Sequence, residues 1–224
     1  MAALVHLVRC GEVDNPDHLA YSDLPGFGLS PHGVDQAKKV GRYLGPRPVV
    51  AIWSSPLERA LRTAEEIAKR TGVPVKVDPD LTEWQLLHRW RGHSWRSIPE
   101  SFPGELEAYL EHPDDLHFSV EPLADVADRM SRVARRLDED HPHGDVVIVS
   151  HQDAIQAGRI KLVGSTLEEL HSDKPGHGAV ITLRPGTTWR EETVWEPDES
   201  AGFGERSDLR VLSSHDSGPS PTSA

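Results

Sequence analysis

The chain has 224 residues, a formal net charge of −12 and 37% hydrophobic residues, with one cysteine and thirteen histidines. That length suits a single domain with a buried core, and the acidity would be repelled by nucleic-acid phosphates and anionic lipid, which disfavours a genome-binding or membrane-surface role. The lone Cys10 excludes internal disulfides, and without CxxC or HExxH spacing there is no metal signature.

The N-terminal stretch MAALVHLVRC has no positive segment ahead of its short apolar run, and no run reaches the roughly 18 apolar residues of a bilayer span, so a cytoplasmic protein is expected. Residues 3–9, ALVHLVR, read as a buried strand ending at Arg9-Cys10-Gly11-Glu12. After a loop, Ser30 and Pro31 supply an N-cap and a helix-opening proline, and Val34, Ala37, Val40 and Leu44 follow at helical spacing. VVAIWS is a second strand. Ser55-Pro56-Leu57-Glu58 then reads as a capping box, with Leu57, Ala60, Leu61, Ala64, Ile67 and Ala68 turned inward and Gly72 closing the helix. Arg59 falls in the first turn of that helix.

A third strand, VPVKV, leads into an irregular segment from Asp78 to Pro103 that carries Trp84, Trp90 and Trp95. It reads either as a lid or as a satellite core cluster. Helical pieces follow near Glu105–Glu111, then an amphipathic helix over about Leu123–Leu137 with Val126, Met130 and Val133 on one face. DVVIVSH is the most strand-like run and ends at Ser150-His151, ahead of a helix over about Ala154–Leu162. AVITLRPGTTWREETVWE reads as a closing hairpin turning at Pro185-Gly186. The expected organisation is a domain over 1–196 with an insertion over about 78–121, and an acidic, disordered tail over 197–224 rich in Ser, Pro and Gly.

Strands alternating with helices imply a three-layer α/β/α sandwich around a mainly parallel sheet, whose ligands bind beyond the carboxyl ends of the strands. Arg9 and Cys10 end the first strand, Arg59 opens the helix after the second, and His151 ends DVVIVSH. Two guanidiniums at one sheet edge need an anion, and their planar forks match a phosphoryl group; a neighbouring imidazole can donate to the same oxygens. The alternative reading, in which the arginines pair with carboxylates and His151 is a core residue, suits any one of them better than all three together.

In order and spacing, LVRCGE, SSPLERALRTAE, LTE and VIVSH resemble the histidine phosphatase, or phosphoglycerate mutase-like, superfamily from Ala3 to about Leu183. The resemblance implies a metal-independent phosphomonoesterase without cofactor. Its phosphate pocket would be Arg9, Arg59 and His151, and Glu83 would protonate the leaving oxygen. The implied partner is a small phosphorylated metabolite or inorganic phosphate, with a homodimer left open. One departure stands out: where the family carries Arg-His-Gly with a nucleophilic histidine, this chain has Arg9-Cys10-Gly11.

Three readings of Cys10 follow. It is a thiolate nucleophile whose pKa the two arginines lower, or it marks a site that binds phosphate without covalent catalysis, or it replaces histidine in an otherwise active phosphatase. A tyrosine-phosphatase loop is excluded, because Pro16 stands where its arginine is required. An acyl hydrolase using Cys10, His151 and Asp153 or Asn15 would be served poorly by flanking arginines. A serine hydrolase through Ser55, His151 and Asp153 lacks the GxSxG elbow, and Ser55 is better used as a helix cap. Arg89, Arg91, Arg96, His88 and His93 in the insertion are candidates for reading the rest of a substrate.

Overall fold

The computed structural model describes residues 2–197. The expected disordered tail lies, beyond Pro197, outside the described residues. Four strands, β1 (Val5–Arg9), β2 (Val49–Ser54), β3 (Val75–Val77) and β4 (Asp145–Ser150), run parallel. The last two, β5 (Val180–Arg184) and β6 (Arg190–Trp195), run antiparallel, giving the order β3-β2-β4-β1-β5-β6. The mainly parallel sandwich expected from the strand–helix alternation is therefore present, with the predicted hairpin at one edge.

Successive residues of a strand point to opposite faces, and here both faces are apolar, as a doubly covered sheet requires. Val5, Leu7, Val146, Ile148, Ile181 and Leu183 belong to one core cluster, which also holds the inward residues of α6 (Leu123–Asp140) and α7 (Gln152–Val163). Val8, Cys10, Ile52, Val147, Val149 and Val180 belong to a second, beneath α1 (Pro31–Leu44) and α2 (Glu58–Thr71). Cys10 thus continues the α1/α2 face of β1.

Several boundaries move for physical reasons. Pro74 has no N–H for a ladder, so β3 starts at Val75 and not at Val73. The helix expected over Leu123–Leu137 runs on to Asp140, and the one expected from Ala154 opens at Gln152, directly after His151. Ser30 caps α1 as expected, its Oγ accepting from Gly33 N at 2.9 Å.

The capping box at Ser55 does not form. α2 opens at Glu58, its N-cap Leu57 makes no side-chain bond, and Ser55 Oγ lies 2.7 Å from His151 Nε2. Leu57 and Leu61, expected inward, are only half-buried, because the buried stripe of α2 runs through Arg59, Ala60, Thr63, Ala64 and Ile67.

The segment expected to be irregular contains a 3-10 turn (Pro79–Leu81) and the short helices α3 (Leu87–Trp90) and α4 (Ile98–Ser101), followed by α5 (Glu105–Glu111). Trp84 and Trp90 are wholly buried and pack in the α6/α7 core cluster with Tyr109. The Trp90 ring meets that of Tyr109 edge-on, 5.6 Å away.

Candidate active site

The carboxyl ends of β1, β2 and β4 bring polar residues together that are distant in sequence. Arg9 is the last residue of β1, and the Cys10 N–H bonds to Ser150 O at 2.9 Å across to β4. Gly11 follows where the chain passes against the start of α1: a Cβ there would lie 2.5 Å from Gly33 O, so a side chain cannot be accommodated without displacing backbone. The Gly11 N–H donates to Thr63 Oγ1 at 3.1 Å, which docks the Cys10–Gly11 turn on α2 beside Arg59.

His151 is almost wholly buried at the end of β4. Arg59 Nε donates to its Nδ1 at 3.2 Å, which fixes Nδ1 as an acceptor and places the ring proton on Nε2, facing Ser55 Oγ. The Cys10 Sγ lies 4.0 Å from the same Nδ1. Arg59 is also held by Ser22 O, at 2.9 Å from Nη2, and by the face of Tyr21, whose centroid is 4.8 Å from Cζ. Ser22 reaches that position in the left-handed region, with φ of 43°. Arg9 is anchored elsewhere: Nη1 donates to Pro175 O at 2.8 Å and Nη2 to His177 Nε2 at 2.7 Å.

Glu83 is brought to this end of the sheet by its backbone. Ser150 Oγ donates to Leu81 O at 2.7 Å, and Arg129 from α6 donates to Asp80 O, Thr82 O and Glu83 O at 2.7, 2.7 and 3.2 Å. Arg129 is paired in turn with Glu121 at 2.8 Å.

The electrostatics share one direction: the titrating groups are pushed towards their neutral forms. Burial raises the Cys10 thiol above its usual range, outweighing the lowering by Arg59 and Arg9. The expectation of a thiol lowered by the arginines is therefore corrected: they do lower it, but desolvation of the buried sulfur exceeds their attraction. Burial, then the charges of Arg59, Arg129 and Arg9, holds His151 well below the ordinary histidine value. Glu83 keeps some solvent contact, yet burial and the nearby charge of Asp153 raise its carboxyl to about 7.

Asp153 shows the reverse behaviour. Burial alone would raise it, but the charge and hydrogen bond of Lys174 hold it below the usual carboxylate range. Lys174 Nζ lies 2.6 Å from Asp153 Oδ1, and Tyr109 Oη donates to Oδ2 at 2.9 Å.

The sequence-based candidates Arg9, Cys10, Arg59, Glu83 and His151 thus meet at one end of the sheet, while the acyl-hydrolase arrangement does not form. The Asp153 carboxylate is spent on Lys174 and Tyr109, and Asn15 bonds both backbone groups of Leu19. A base needs a partner that stabilises its cation, and His151 Nδ1 instead receives a guanidinium N–H. The same contact disqualifies a serine hydrolase, despite the Ser55–His151 bond. In the insertion, Arg89 forms a forked pair with Glu105 at 2.7 and 2.8 Å, and Arg91 pairs with Asp23 at 2.7 Å.

The sequence suggested Ser55 beside His151 only in the serine-hydrolase reading, and pointed neither to Arg129 as the holder of Glu83 nor to Pro175 and His177 as the holders of Arg9. Only Ser55 left a signal, one that served equally well as a helix cap. Among the described residues no group of three or more His, Cys, Asp or Glu is placed to hold a metal ion, and no helix is long and apolar enough to cross a membrane.

This layering and strand order define a doubly covered α/β protein whose buried polar groups gather beyond the strand ends. The chain belongs to the histidine phosphatase superfamily (branch 1), whose family model matches residues 5–195. It is 36% identical over 168 residues to an uncharacterized protein of Mycobacterium tuberculosis, covering 73% of this chain and 80% of that one. It is 30% identical over 168 residues to phosphoserine phosphatase 1 of Hydrogenobacter thermophilus, covering 74% and 79%. Among solved structures it is similar to mycobacterial glucosyl-3-phosphoglycerate phosphatase, with a TM-score of 0.78, 27% identity and coverage of 88% and 99%. A second structure of that enzyme, in complex with inorganic phosphate, superposes with a TM-score of 0.74 at 28% identity, covering 87% and 97%.

Proposed function

We propose that this chain is a metal-independent phosphomonoester hydrolase for a small phosphorylated metabolite, its phosphoryl group held by Arg9, Arg59 and His151, the last donating from Nδ1 once a phosphoryl oxygen replaces the Arg59 contact there and Nε2 accepts from the Ser55 hydroxyl. The observation that carries this reading is the convergence of two buried guanidiniums with a neutral imidazole and an acid titrating at about 7. Arg9 and Arg59 supply the positive charge, and a preorganised cationic pocket favours the charge developing on a transferring phosphoryl group. Glu83, protonated below about pH 7, is suited to give its proton to the leaving oxygen. A structural relative crystallised in complex with inorganic phosphate supports phosphate as the ligand class.

Cys10 occupies the nucleophile position. In the covalent route its thiolate forms an S–P bond while the P–O ester bond breaks towards the leaving oxygen, which takes the Glu83 proton. Water then attacks phosphorus and gives a proton to the Glu83 carboxylate while the S–P bond breaks, which releases phosphate and restores the thiolate and the protonated Glu83. The raised thiol favours a second reading, a phosphate-ester-binding protein with little turnover, because an unionised thiol is a poor nucleophile.

Assays on an aryl phosphate and a panel of metabolite phosphates separate the two, using the chain itself, Cys10→Ala and Cys10→His. Turnover abolished in Cys10→Ala, with a phosphoryl adduct on Cys10 by mass spectrometry, establishes the thiolate route. Turnover only in Cys10→His establishes the binding reading. Hydrolysis of thioesters with no phosphate ester accepted by any variant overturns both.

A further inference from the structure

Arg59 and Arg9 are both buried, but they are held by different parts of the chain. Arg59 is fixed by the loop after β1 and by His151, whereas both terminal nitrogens of Arg9 go to one short segment before β5, through Pro175 O and His177 Nε2. A guanidinium is planar, so two bonds from its two ends set the plane in which its remaining donors can meet a ligand.

That segment is sewn to α7 along its length. Gln156 Nε2 donates to Ser172 O at 2.6 Å, Arg159 Nη1 to Asp173 O at 3.0 Å and Gln152 Nε2 to Pro175 O at 3.3 Å. Between them lies the Lys174–Asp153 ion pair at 2.6 Å, each side chain only 6% exposed. Lys174 Nζ also donates to Tyr109 Oη at 3.1 Å, joining α5 to the same point. Isolated buried charges are expensive, and the pair is tolerated because each charge meets the other and a hydroxyl.

We propose that residues 172–177 form a strap that sets the plane of the Arg9 guanidinium for its ligand, with the Lys174–Asp153 pair as its latch, a role that rests on the phosphate reading above. Asp153, Gln156 and Lys174 are positioning residues. α7 begins directly after His151, so one helix places the imidazole at its start and, through the strap, the fork of Arg9.

The test is the affinity for inorganic phosphate by isothermal titration calorimetry, in variants of the full chain. Lys174→Met combined with Asp153→Asn removes both charges and leaves neither orphaned. Its phosphate affinity is expected to fall about fivefold or more, the scale of coupling between residues in one network. The same pair of substitutions is expected to cost as much in an Arg59→Lys background and nothing further in Arg9→Lys, where there is no fork left to orient. Should the double variant fold poorly, Gln156→Met, which loosens the strap without touching a buried charge, is expected to give the same background dependence at smaller size. An unchanged affinity, or a loss undiminished in Arg9→Lys, overturns the strap while leaving the phosphate pocket standing. Absence of phosphate binding by the unaltered chain overturns both.

Discussion

Leu137 and Glu83 lie in two regions of one fold that obey opposite rules. Leu137, on α6, is wholly buried in an apolar cluster. Glu83, at the strand ends, sits among groups whose protonation its own charge disturbs: it helps to raise the Cys10 thiol and is itself raised by Asp153. The core is arranged for stability. At the strand ends, Cys10, Glu83 and His151 are all pushed towards neutrality beside the Arg9 and Arg59 guanidiniums, an excess of positive charge that the proposed phosphate would offset.

Truncation should therefore separate the two regions by the sign of its effect on stability. The largest change is expected for Leu137→Ala, which leaves a cavity beneath α6 and costs about 2 to 5 kcal/mol in denaturant unfolding. A cost below about 1 kcal/mol would show that this face is loosely packed.

Glu83→Gln is expected to act the other way, and only at higher pH. A carboxyl whose folded-state value is raised from 4.5 to about 7 favours folding below 4.5 and loses that contribution as pH rises to about 7. Gln carries no such penalty, so the variant should match the parent at pH 4 and exceed it at pH 8. The gain is on the order of 2 kcal/mol after allowance for the solvent that still reaches Glu83. Equal stability differences at the two pH values would place the Glu83 titration near its ordinary value. The same titration predicts that any hydrolysis needing protonated Glu83 declines as pH rises through about 7.

The smallest effect is expected where the two regions adjoin. Ser30 caps α1 and also donates to Glu12 Oε1 at 2.6 Å, next to the Gly11 turn. Ser30→Ala should cost about 1 kcal/mol of stability. A much larger loss would show that the Glu12 contact, and not the cap, holds the turn.

The core was the more legible region, because burial on both faces writes itself as continuous apolar runs such as DVVIVS, and helices as spaced stripes such as Val126, Met130, Val133 and Leu137. The pocket was legible only in part. Arg9, Cys10, Arg59 and His151 could be placed because each ends a strand or opens the helix behind one. Pro175 could not, since it contributes a backbone carbonyl, a group every residue has. Ser55 was legible only in half, because its hydroxyl accepts from Leu57 N at 3.3 Å ahead of α2 and also meets His151 Nε2, a partner that only the tertiary placement of β4 supplies. The Cys10 thiol was misjudged in direction because counting neighbouring charges omits the desolvation that closing the fold imposes.

A crystal structure grown with inorganic phosphate tests the central claim most directly. One phosphate is expected, enclosed by Arg9, Arg59 and His151, with the Cys10 sulfur facing its phosphorus. A phosphate bound elsewhere, with those three side chains still turned to their protein partners and nothing between them, would contradict it.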